Sequence, residues 1–117
     1  MSEQFKLEKE EFSEVDKEWH WTYCWLSEFI FNGKPIIKIT ITDHYQLKHS
    51  EITNQLILNI FCQKLNGQEM KSFKKHDKRE VFVWDWASYQ GKTYHLTFWF
   101  ENDNPNWLWV RNCYPIS

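Results

Sequence analysis

Glycine and proline are scarce in this chain, three of each among 117 residues. No glycine-rich turn exists to cradle a phosphate, which excludes dinucleotide- and nucleotide-triphosphate-dependent enzymes built on such loops. Cysteine is equally rare. Cys24, Cys62 and Cys113 are scattered, odd in number and without CxxC spacing, so they read as small hydrophobes in a reducing compartment, not as a disulfide framework. No apolar run approaches the roughly 18 residues of a membrane span, and the first twenty residues lack the apolar core of a signal peptide. The expected location is the cytoplasm, with no membrane partner. A positive balance is also missing: the formal charge is −2 and the pI about 6.2, which excludes a globally basic nucleic-acid binder. That average conceals a segregation. Residues 1–18 carry seven acids against three lysines, whereas the remainder carries eleven basic and nine acidic groups.

Aromatic residues are abundant, with eight tryptophans and nine phenylalanines. They favour strands and bury large areas. Residues 1–17, charged and without sustained apolar periodicity, read as an acidic arm, solvated or a frayed helix. Residues 18–117 read as one domain. Trp19, Trp21, Tyr23 and Trp25 alternate with His20, Thr22 and Cys24, the period of a strand. Asn32-Gly33 separates two short apolar runs and signals a hairpin. Ile37, Ile39 and Ile41 share the face of a further strand. The tract from Ile36 to Gly67 then passes through His44 and His49 into an amphipathic helix, with Ser50 as its expected cap. Ile52, Leu56, Ile57, Ile60, Phe61 and Leu65 form the helix stripe, and Gly67 supplies a left-handed stop.

Strands are expected over residues 80–86, 93–101 and 107–114, joined by short turns and hence antiparallel. The fold class is therefore α+β, one principal helix on a twisted antiparallel sheet in the order β(β)β-α-βββ. Val81, Val83, Tyr94, Leu96, Phe98, Phe100, Leu108 and Val110 are expected under the helix. The opposite face would show Phe82, Trp84, Trp86, His95, Trp99, Trp107, Trp109 and Arg111. That face is too aromatic to leave in water. It calls for a cover, either the N-terminal tryptophan strand or a partner, a second copy of the chain in a homodimer included.

Over residues 36–117, the tract IKITITDHYQLKHSEITNQLILNIFCQKLNG followed by KTYHLTFWFE and WLWVRNCY resembles the RelE/ParE-type small bacterial toxins, in their BrnT-like form. The resemblance is one of pattern. It implies a toxin–antitoxin component: a metal-independent endoribonuclease or an inactive descendant, with RNA as substrate and a cognate antitoxin as partner.

Metal-free RNA cleavage requires a base, an acid and cations around the phosphorane. His44, Lys48 and His49 at the strand-to-helix junction, with Arg111 and Tyr114 near the end of the last strand, are the candidate catalytic set. His44 and His49 equally suit backbone-capping roles, and His95 on a central strand is a further candidate. The tract Lys71, Lys74, Lys75, Lys78 and Arg79 is a candidate RNA contact or a solvated loop. No metal or other cofactor is expected. His20 and Cys24, on one strand face, stand about 13 Å apart, and His44 and His49 lack a third ligand. A non-enzymatic alternative, an inhibitor- or immunity-type module using the aromatic face and the acidic arm to bind a protein, stays open beside the enzyme.

Overall fold

The computed structural model describes residues 5–42, 52–71, 74–76, 79–101, 104 and 106–116, with 74–76, 79, 80 and 86 as backbone only. Its architecture is α+β, mostly sheet with one short helix. The strands are β1 (Phe5–Ser13), β2 (Glu18–Trp25), β3 (Ile30–Phe31), β4 (Lys34–Pro35), β5 (Lys38–Thr42), β6 (Lys74–His76), β7 (Arg79–Tyr89), β8 (Lys92–Phe100) and β9 (Trp107–Ile116); helix α1 (Asn54–Ile60) runs into a π-helical turn at Phe61–Leu65. Seven strands form one sheet in the order β1-β2-β5-β9-β8-β7-β6, and β3 pairs with β4 separately. β5 and β9 are parallel, whereas every other pair in the large sheet is antiparallel.

The acidic arm keeps most of its side chains exposed, but its backbone is paired and not frayed. Phe5–Ser13 is a strand, registered from Phe5 opposite Trp25 to Ser13 opposite Glu18. Its alternation is hard to read because the register shifts between Leu7 and Lys9, and a bulge switches which residues share a face. β1 occupies one edge of the sheet and the lysine-bearing β6 the other. Charged edges discourage pairing with another chain, which gives both charged tracts a structural role. The basic connection is thus partly a β6–β7 hairpin, not wholly a loop.

The expected Asn-Gly hairpin is present. Asn32 and Gly33 have φ of 53° and 72°, the positive pair of a type I′ turn. Gln90 and Gly91, at 50° and 80°, do the same between β7 and β8. Glutamine is a poor fit there, since left-handed backbone suits asparagine and glycine. Gln90→Asn should therefore raise stability by about 0.5 kcal/mol, and Gly91→Ala should lower it by about 1 kcal/mol. Urea midpoints at constant m-value would read both. A methyl group at Gly91 meets nothing within 4 Å, so any loss comes from the backbone alone.

Thr53, not Ser50, caps the helix. Its extended backbone lets Oγ accept from Leu56 N–H at 3.1 Å, while Ser50 lies outside the described residues. Asn66 N–H then donates to Phe61 C=O, the wider spacing of a π turn. Ile52, Ile57, Leu58, Ile60, Phe61 and Leu65 are all buried. Opposite them lie Ile39, Ile41, Leu96, Phe98, Leu108 and Val110, with Phe31 and Phe82 completing an aromatic cluster. β7 corrects the expected face assignment. Phe82 pairs with Phe98 and Trp84 with Leu96, so both belong to the helix side, and Val81 and Val83 turn to the open side.

Cys113 belongs to this core, fully buried beside the helix layer. Desolvation pushes its thiol from an ordinary 9.0 up to about 12. The native state thus holds the proton more tightly than the unfolded chain. The resulting stabilisation is complete below pH 9 and is lost as pH rises from 9 toward 12. At pH 8, native Cys113 should resist iodoacetamide while half-buried Cys24 and Cys62 label first, as peptide mass mapping would record.

Candidate functional site

The open face of the sheet is built by alternation. β2 contributes Glu18, His20, Thr22 and Cys24, and β5 contributes Lys38, Thr40 and Thr42 in register with them. β9 and β8 add the cross-strand pair Trp109 and Trp99, then Tyr114 opposite His95. The tryptophan strand β2 therefore extends the sheet and does not fold over this face. No described helix or strand lies on it. Thr22, Thr40 and Thr42 are nevertheless buried. Thr22 and Thr40 share a hydroxyl hydrogen bond of 2.8 Å, and the Trp107 indole N–H donates to Thr40 Oγ at 2.8 Å. Lys38 Nζ lies over the Trp107 ring, within cation–π range.

At one end this face deepens into a cleft of about 400 Å³ lined by Asp16, Glu18, Trp99, Glu101, Trp109 and Arg111. Arg111 Nη1 donates to both carboxylate oxygens of Glu18, at 2.8 and 3.1 Å. The Glu18 side chain is 8% exposed and that of Arg111 36%. His20, also 8% exposed, places Nε2 at 3.2 Å from Glu18 Oε1 and 3.7 Å from Asp16 Oδ2. The Trp109 ring meets the imidazole edge-on, 5.0 Å between centroids. A second polar group lies further along β8. His95 Nδ1 bonds to Asp85, its Nε2 lies 3.3 Å from Thr97 Oγ, and its ring stacks on Tyr114 at 4.6 Å.

The candidates read from sequence are distributed unevenly over this frame. His44, Lys48 and His49 lie outside the described residues. Arg111 lines the cleft, but its guanidinium is committed to Glu18. Tyr114 sits with His95 and does not line the cleft, so Arg111 and Tyr114 belong to different groups. Lys71 is exposed; Lys74 and Lys75 belong to β6, Arg79 begins β7, and Lys78 lies outside the described residues. Sequence reasoning missed Glu18, Asp16 and Glu101 as site residues. Glu18 had a readable signal: it holds the same strand parity as His20, an acid on the face of β2 that alternates with the tryptophans. Comparison with protein-family models, with curated proteins and with solved structures finds no match.

Among the described residues no helix is long and apolar enough to cross a membrane.

Proposed function

We propose that this chain is a non-enzymatic binding module that takes a protein partner on the open face of its sheet, in the manner of an inhibitor or immunity protein. The observation that carries the reading is the cleft between Trp99 and Trp109. Rigid tryptophans on a sheet face are the side chains that most often dominate protein interfaces. The cleft's described lining holds three carboxylates and one guanidinium, and that guanidinium is already engaged by Glu18. Such a lining is a poor seat for phosphate and a better one for a basic segment of a protein. The acidic arm no longer enters the reading as a free tether, because most of it is β1.

The test uses immobilised wild-type protein beside Trp109→Ala and, as a control on the helical side of the fold, Gln63→Ala at an exposed position of the π-helical turn. A discrete protein should be retained in stoichiometric amount by wild type and by the Gln63 variant and lost from the Trp109 variant. Equal retention by all three, or none, would overturn the reading.

A metal-independent endoribonuclease of the RelE/ParE-like toxin type is the second reading. It is favoured by one arrangement: His95 is oriented by Asp85 and backed by Tyr114, as a general acid or base requires. Purified protein should then cleave RNA, with His95→Ala losing most of the activity. Intact RNA with both proteins would remove this alternative.

A further inference from the structure

We infer that Asp16, Glu18 and His20 form a binding site for a divalent transition metal of the zinc class, independently of which partner or substrate the open face takes. Three features of the chain create it. Glu18 and His20 are alternate residues of β2 and share a face. The preceding turn folds Asp16 back toward them: Asp16 N–H donates to Ser13 Oγ, Lys17 N–H to Ser13 C=O, and Lys17 takes a left-handed φ of 58°. One ligand atom from each residue then lies within 4.8 Å of the other two.

The spacing is compatible with a bound metal as well as with hydrogen bonding. Zinc with nitrogen and oxygen ligands at about 2.0–2.1 Å in tetrahedral array requires ligand-to-ligand edges of about 3.3–3.4 Å. The His20–Glu18 and His20–Asp16 edges are 3.2 and 3.7 Å. Burial points the same way. His20 and Glu18 side chains are each 8% exposed, and among the described residues the polar contacts of the His20 ring are to the two carboxylates. A buried histidine whose nitrogen faces two carboxylates is placed to share a cation with them. Arg111 bonds both Glu18 oxygens, including the Oε1 that faces His20, and Trp109 packs on the imidazole. Both fix ligand orientation, the usual work of groups one shell out.

The ligand set selects the ion. Calcium takes six to eight oxygens and magnesium a near-ideal oxygen octahedron, whereas one imidazole and two carboxylates suit zinc, cobalt or nickel. The charge balance also closes acceptably: a dication, two carboxylates, a neutral imidazole and Arg111 leave a residual +1. Asp16 is 54% exposed and faces the cleft, so the fourth position opens toward whatever enters there. Three protein ligands and one open position is the form that admits an exogenous ligand.

The test is titration of metal-free protein with Zn²⁺ against a chromophoric chelator, paired with thermal unfolding and with Co²⁺ absorbance. Wild type should bind one Zn²⁺, melt higher in its presence and give the visible spectrum of tetrahedral cobalt, with Mg²⁺ and Ca²⁺ inert. His20→Gln and Asp16→Asn should each weaken Zn²⁺ roughly tenfold or more and abolish the melting shift. Asp16 lies on an exposed turn, so its variant reports on binding even if the His20 variant folds poorly. Absence of a Zn²⁺-dependent shift in wild type would overturn the site. So would unchanged affinity in Asp16→Asn, which would put the metal on other residues, or an equal response to Mg²⁺.

Discussion

Replacing Arg111 with leucine should cost roughly 3 kcal/mol of folding stability, the lower end of the range for breaking a buried ion pair. The figure sits low because the guanidinium is 36% exposed and retains some water, and because the 8% exposed Glu18 keeps His20 Nε2 at 3.2 Å. Loss of Arg111 leaves the buried Glu18 carboxylate with Oε2 under-satisfied and, among the described residues, His20 as its partner at Oε1. The diagnostic companion is the double variant Glu18→Met, Arg111→Leu. Replacing both charges with apolar groups of similar bulk should recover most of the loss, since burying two ions is itself expensive. Urea midpoints for the single and double variants give the coupling energy. A double variant no better than Arg111→Leu would mean that the arginine acts through its packing and not through its charge.

Phe98→Ala should cost still more, about 4 kcal/mol. Phe98 is completely buried, with ring centroids 5.0 Å from Phe61, 5.6 Å from Phe31 and 5.6 Å from Phe82. These four rings come from the π-helical turn, β3, β7 and β8, so the deletion opens a void where four elements meet. Phe98→Leu keeps most of the volume and should cost about 1.5 kcal/mol or less. Trp109→Ala, on the opposite face, provides the contrast. A smaller stability loss there than at Phe98 is expected, because its ring lines a solvent-open cleft. Equal losses would mean that the open face is a second structural core.

Much of the strand content was legible from local pattern. The Trp19–Trp25 alternation, the Asn32-Gly33 turn and the last three strands all follow from residue period and turn chemistry, which are properties of neighbouring residues. The misreadings arose where a distant partner decides the outcome. β1 carries many charges and a bulge, so only its pairing with β2 makes it a strand. The face of β7 shifts because the register slips between Trp84 and Ala87, which no count of alternating residues reveals. Ser50 and Thr53 both have hydroxyls suited to capping, and the chain uses the later one. The cleft shows the same limit. Glu18 and Arg111 are ninety-three positions apart, and they meet only because β2 and β9 flank the same central strand.

That central strand has a consequence for how the chain folds. β1, β2 and β5 on one side, and β6 through β9 on the other, are each assembled by pairings close in sequence. The sheet joins the two sets where Lys38–Ile41 runs parallel to Trp107–Val110, with contacts such as Thr42 to Arg111 sixty-nine residues apart. Closing so long a loop precedes any reward from the contacts it makes. The hairpins should therefore form quickly and the β5–β9 join last, which makes that parallel pair the rate-limiting step of refolding.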